Sequence, residues 1–253
     1  MQLLKIEGYQ LFANYKKPLS YGYWETYPFP PLSTLKGWFH NVINAKKYVD
    51  LSIGLCFDYS FIINDFQKII KFDRNRGNAN DNLLTSVNKA VISSMVYVAN
   101  VFDINLTIYF YAEKQYLDIF KNNIFNNYRH IGRGEDLIRI DSIDFIEPAE
   151  QTFTNLKPHE IDYGIILKKE TAEKLNIQGL NYHLPFKYDN DKLQKTNIRY
   201  FNYVDIVYPD PDSISLIDIN SMLLDTNNNK IIEMIGDYSW NSTRKNMEII
   251  TKQ

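Results

Sequence analysis

Cysteine is nearly absent: Cys56 stands alone in 253 residues, which excludes an intrachain disulfide and any metal site built from clustered thiolates. Its neighbours Leu55 and Phe57 mark it as a small buried hydrophobe. There is no run of about eighteen apolar residues and no charged-then-apolar start, so a soluble, cytoplasmic chain with no membrane partner is expected. The four histidines, His40, His130, His159 and His183, are scattered. No His-Glu-x-x-His pair, no glycine loop ending in lysine and no Gly-x-Ser-x-Gly elbow accompanies them, so no catalytic residue, metal or cofactor is assigned.

An excess of positive charge is missing too. The chain carries 28 basic and 30 acidic residues, net −2, with a sequence pI near 6.1. The average conceals an asymmetry: residues 1–139 hold 16 Lys and Arg against 12 Asp and Glu, whereas residues 140–253 hold 12 against 18. Binding a nucleic-acid backbone needs only a local cluster of cations, so the N-terminal half is where such a face is expected. With 45% hydrophobic residues the chain can bury one substantial core, or one core plus a smaller appended unit.

Two stretches stand out. In Tyr27-Pro28-Phe29-Pro30-Pro31-Leu32-Ser33-Thr34-Leu35-Lys36-Gly37, the prolines deliver a stiff extended segment into a helix expected over 33–47, with Ser33 as its N-cap. Leu35, Trp38, Phe39, Val42 and Ile43 form its apolar stripe, with Lys36, His40 and Lys47 beside it. A hydroxyl cap, free amides and a lysine in the first turn suit an anion, and an ordinary capped helix would look the same. In Ile131-Gly132-Arg133-Gly134-Glu135-Asp136, two glycines flank an arginine whose planar fork suits phosphate, with Glu135 and Asp136 as braces. An arginine tied into a structural turn is the alternative.

The remaining pattern is α+β. Strands are expected at 2–12, 51–63 (one strand or a pair), 103–111 and 137–146, with a second helix at 113–125 and a break in the pattern over 73–90. This order is compatible with a β-α-β-β-α-β unit carrying an insertion. Beyond Glu147 the signal thins to strand-like pieces near 161–167, 199–208 and 213–235, with Asp225 to Asn229 as a hairpin turn.

The N-terminal strand, the Pro-Pro-x-Ser-Thr-x-x-Gly turn at Pro30 to Gly37 and the Gly-Arg-x-Glu-Asp segment at Gly132 to Asp136 together resemble the Cas-five family of CRISPR-associated proteins, in the RAMP superfamily. The resemblance covers about residues 1–147 and is closest to the type I-B branch. It implies a ferredoxin-like (RRM-like) RAMP domain over 1–147 with a thumb inserted at about 70–100, followed by a reduced β-rich C-terminal lobe at 148–253. It also implies a non-catalytic Cascade subunit that binds the 5′ handle of the crRNA and caps one end of the complex. Its expected neighbours are the Cas-seven backbone subunit and the large subunit, with target DNA reached only indirectly.

The RNA-binding residues expected on this reading are Ser33, Thr34, Lys36 and His40 on the first helix, Lys71, Arg74 and Arg76 in the insertion, and Arg129, His130 and Arg133 around the glycine loop. Tyr23 and Trp24, in a stretch rich in the chain's 19 tyrosines, are expected to stack on unpaired bases. Two alternatives stand beside it. One branch of the family is a metal-independent endoribonuclease, whose catalytic set is not matched here although His40 or His130 could enter such a site; the other alternative is a protein-only scaffold.

Overall fold

The structure, a computed structural model, describes residues 1–73, 83–126, 130–153, 161–210, 213, 219–241 and 246–250. Arg74, Arg76 and Arg129 lie outside them. Strand β1 (Leu3–Ala13) leads through the proline turn into helix α1 (Leu32–Val42) and on to β2 (Ser52–Asp58). Next come β3 (Phe61–Phe72), α2 (Leu83–Ala90), β4 (Val91–Tyr111), α3 (Lys114–Asn123) and β5 (Arg139–Ile146).

The central sheet is antiparallel with order β2-β4-β1-β5. Chain order and sheet order together give two split β-α-β units, β1-α1-β2 and β4-α3-β5, sharing one sheet. Leu4, Ile6, Ile53, Leu55, Ile108 and Phe110 bury one cluster with Leu35, Trp38 and Phe39 of α1 and Phe120 of α3. The opposite face is covered by the C-terminal residues Leu223, Ile232 and Met234, which enclose Cys56 with Leu3 and Tyr109. Both faces are therefore dry, and Lys5 on that second face is buried against Asp225 at 2.8 Å.

β4 is much longer than the expected 103–111. Its second half pairs with β2, Ser52↔Tyr111 to Asp58↔Asn105, and its first half pairs with β3, Phe61↔Phe102 to Phe72↔Val91. The changeover falls at Asp103, held at φ 58° with its carboxylate accepting a hydrogen bond from Ser60 Oγ at 2.6 Å. A short polar side chain tolerates that left-handed conformation better than most residues. The described parts of the segment expected as an insertion at about 70–100 thus belong to a ribbon whose strands, Phe61–Phe72 and Val91–Phe102, begin at residue 61 and return to the sheet at 102. At about 3.3 Å per residue its twelve paired rungs reach roughly 40 Å.

α1 departs from expectation at both ends. It begins at Leu32, with Pro31 as the cap residue and no side-chain cap, so Ser33 is inside the first turn. Pro31 lacks an N–H, which costs nothing at a helix start, and its carbonyl accepts from Thr34 and Leu35. The helix stops at Val42 because Asn44 adopts φ 51° and Ala45 N–H returns to His40 O at 2.9 Å, closing the C-terminal turn five residues before the expected end.

In the C-terminal part, β6 (Gly179–Tyr188) and β7 (Phe201–Pro209) form a hairpin flanking a short helix, Asn190–Thr196. Leu184, Phe186 and Ile206 join the main core, and Phe29 of the proline turn is fully buried against Tyr182, Tyr208 and Phe57. The hairpin is therefore bolted onto α1 and the turn that precedes it. Strands Ala149–Phe153, Ile219–Asp225 and Lys230–Ile232 make a separate three-stranded sheet, with the expected turn before Lys230. Among the described residues no helix is long and apolar enough to cross a membrane.

Candidate nucleic-acid interface

A cavity of about 560 Å³ opens between α1, the turn that follows it and the β6–β7 hairpin. Ser33, Thr34, Lys36, Gly37 and His40 line it from the helix, Lys46, Lys47 and Tyr48 from the turn, and Phe186, Lys187, Tyr188, Arg199 and Phe201 from the hairpin. The cations come from three separate segments, and Lys46, Lys47, Lys187 and Arg199 were not among the residues singled out for binding. The hairpin brings in Lys187 and Arg199, a proximity of which a linear sequence carries no signal, whereas Lys46 and Lys47 come from the turn just after the helix, Lys47 being the lysine read beside Lys36 and His40. Thr34 and Gly37 also line a smaller cavity of about 200 Å³ together with His130 and Gly132. A side chain added at Gly37 would meet nothing within 4 Å, so the helix surface between the two cavities is bare backbone that a ligand can approach closely. The first helix and the glycine loop are neighbours, as the two motifs require.

Lys36 is not the open cation its position suggested. It is 5% exposed, because its place on α1 turns it toward the hairpin. Its amine lies 3.9 Å above the Phe186 ring and 4.2 Å above the Tyr48 ring, donates to the Tyr48 hydroxyl and sits 4.0 Å from Asp237. Burial pulls the ammonium down from 10.5 to about 7 against the opposing pull of Asp237. Tyr48 donates to Asp237, and Lys187 does the same on the other carboxylate oxygen. Burial drives Asp237 upward, but the hydrogen bonds from Lys187 and Tyr48 and the charge of Lys36 together hold the carboxyl below its usual range. Tyr48 is raised by burial first and by the Asp237 hydrogen bond second. This cluster ties α1, the following turn, the hairpin and the C-terminal segment at one point.

His40 is equally committed. Its Nδ1 lies 2.8 Å from Lys36 O and its Nε2 accepts from Val49 N–H at 3.1 Å, which fixes the proton on Nδ1. Burial lowers its pKa, consistent with a neutral ring that holds the turn in place.

Arg133 is built into its turn rather than presented outward. Its guanidinium contacts Asp136 at 2.8 Å, Glu135 at 3.3 Å, Asn100 at 3.0 Å and Gln67 at 3.3 Å. Asp136 is fully buried and also accepts from the backbone N–H of Arg133 at 2.7 Å and of Asn14 at 3.1 Å. Gln10 donates to the carbonyls of Ile131 and Asp136, both at 2.9 Å. The carboxylates are braces, as expected, and Arg133 is one arm of the same brace, joining the glycine loop to β1 and to the base of the ribbon. Gly132, at φ +116° and with Asp136 Oδ2 only 2.5 Å from where a Cβ would stand, is required by this packing.

The other expected residues lie elsewhere. Lys71 is exposed near the far end of the ribbon, paired across from Ile92. Tyr23 pairs with the ribbon at Tyr97 and donates to Asn64 Oδ1 at 2.7 Å, while Trp24 is covered by Lys16, 4.2 Å above its ring. Neither lines the α1 cavity.

No family profile matches this sequence, and no curated protein matches it. Among solved structures, the chain is similar to a chain of a CRISPR RNA-guided surveillance complex, at 14% identity over 87% of this chain and 90% of that one, with a TM-score of 0.49. It is similar to a CRISPR protein from Archaeoglobus fulgidus, at 9% identity over 92% and 98%, TM-score 0.46. A third structure, described as a Cas protein, matches at 15% identity over 86% and 98%, TM-score 0.44.

Proposed function

We propose that this protein is a non-catalytic RNA-binding subunit of a CRISPR surveillance complex of the Cascade kind, a Cas-five relative of the type I-B branch with a ferredoxin-like core. It holds the 5′ handle of the guide RNA and caps one end of the assembly. The sequence resemblance at Pro30 to Gly37 and Gly132 to Asp136 motivates the reading, and the β2-β4-β1-β5 order is that of a ferredoxin-like sheet. The observation that carries it is the α1 cavity: Lys46, Lys47, Lys187 and Arg199 converge there from segments far apart in sequence, next to the bare helix surface at Gly37. On this reading Lys47 and Arg199, which make no ion pair among the described residues, contact phosphate, and Lys36, His40 and Arg133 hold the frame. The ribbon, with Phe66, Ile70, Phe72, Met95 and Tyr97 all more than half exposed, is the side that meets the backbone subunit.

The direct experiment is ultraviolet crosslinking within the native complex, with both RNA and peptides sequenced. Repeat-derived 5′ ends joined to peptides spanning 33–48 or 187–201 support the proposal; crosslinks dispersed over spacer sequence, or none, overturn it.

A second reading has one observation in its favour: an amine held near 7, Lys36, beside Tyr48 and His40 suits metal-independent RNA cleavage. Against it, both His40 nitrogens are occupied and the Tyr48 proton is given to Asp237. Site-specific cleavage of unprocessed repeat RNA in EDTA would establish this second reading in place of the first.

A further inference from the structure

We propose that the outward face of the β6–β7 hairpin is a stacking path for unpaired bases of a single strand leaving the α1 cavity; this rests on the RNA-binding reading of that cavity. Four rings form an unbroken ladder there. His183 and Tyr203 stack in parallel, 4.4 Å apart at 8°. Tyr203 meets Phe201 at 6.5 Å, and Phe201 meets Tyr188 at 6.1 Å, both edge to face. Phe201 and Tyr188 line the cavity, so the ladder begins inside it and runs outward along the hairpin.

The rings are built into the sheet rather than loosely attached. Alternation along β6 and β7 sends Leu184, Phe186 and Ile206 into the core, and the β-bulge between Pro185 and Lys187 keeps their neighbours on the outer face. His183 Nδ1 lies 2.6 Å from Asp205 Oδ1, which sets the plane of the imidazole against Tyr203. Yet the rings remain accessible: Tyr203 is 50% exposed and Tyr188 38%. Ordered rings left accessible to solvent can serve as a stacking platform.

Charge selects the occupant. The guanidinium of Arg199 sits 5.5 Å over the Tyr188 ring, and Lys187, paired with Asp237, lies at the same end of the hairpin. A ring ladder that starts at a cation-lined cavity matches a polyanion bearing flat groups, its phosphates held in the cavity and its bases on the rings, which is a single-stranded nucleic acid. Asp205, the carboxylate beside His183 at the far end, is already paired with it.

The test uses full-length protein and fluorescence anisotropy with a labelled ten-nucleotide oligoadenylate, compared with an oligomer of equal length and charge made of ribose-phosphate units without bases. Tyr203 lies outside the cavity lining and is half exposed, so its replacement leaves both the core and the phosphate contacts intact. Tyr203→Leu is expected to weaken oligoadenylate binding about tenfold, Tyr203→Phe to retain it, and neither to change binding of the base-free oligomer. If wild type and Tyr203→Leu bind oligoadenylate equally, as they would were the ladder a protein-docking face, the stacking path is refuted while the cavity reading survives. If wild type binds neither oligomer, both fall.

Discussion

Replacing Lys36 by Met should make the protein more stable at neutral pH and remove a pH dependence that the wild type shows. The side chain is 5% exposed, and its amine titrates at about 7 in the fold against 10.5 when free. Between those values the unfolded chain binds more protons than the folded one, so stability rises with pH; the penalty is complete below 7 and gone above 10.5. Integrating the single-site linkage, wild-type stability should climb by about 2 kcal/mol from pH 7 to pH 9 relative to a variant lacking the amine. The ceiling on the gain at pH 7 is about 4 kcal/mol, less about 0.5–2 kcal/mol for the lost contacts with the Phe186 and Tyr48 rings. Met keeps the alkyl stem over those rings, the Tyr48 hydroxyl still donates to Asp237, and Lys187 remains as counter-charge. Urea denaturation of both proteins at several values between pH 7 and 9 reads the difference, since groups remote from Lys36 cancel. Parallel pH profiles would refute the assignment of a buried, burial-depressed amine to Lys36.

Asp136→Ala should lower stability by about 3–5 kcal/mol in the same denaturation assay, because it removes the buried counter-charge of a largely buried guanidinium and leaves two backbone donors unpaired. Arg133→Met should also destabilise the protein while leaving the salt dependence of RNA binding unchanged; a flatter salt slope would restore Arg133 as a phosphate contact. Cys56 is fully buried and its thiol is pushed up to about 12 by burial, so maleimide should label it only after denaturant is added, and rapid labelling of native protein would contradict the packing of its layer.

Much of the N-terminal half is legible because each of its elements carries its own local pattern. β1, α1, α3 and β5 each show a period that a single sheet with two helices can use, and the two motifs ended up adjacent. Three features were not legible. The ribbon strands beyond residue 63 carry apolar residues on both faces, as at Ile69 and Ile70, so the alternation that reveals a half-buried strand is missing there. The β6 strand carries no clear strand signal because Gly179 and Pro185 punctuate it; Pro185 is tolerated where the register shifts at the bulge. That omission had the larger consequence, since the hairpin supplies Lys187 and Arg199 to the site and encloses Lys36. Whether a lysine points to water or into an aromatic cage depends on what packs over it, and residue type alone carries no such information. The same holds for Arg133, whose partners Asn100 and Gln67 lie on the ribbon.

The central claim is that phosphates of a single-stranded RNA lie in the α1 cavity against cations of the post-helix turn and the hairpin. Salt titration of RNA affinity with the Lys47→Ala/Arg199→Ala double variant tests it most directly. The logarithmic slope should flatten by about 0.7 for each cation removed, with little dependence on RNA sequence. A slope identical to that of the wild type would place the RNA elsewhere on the molecule and contradict the account.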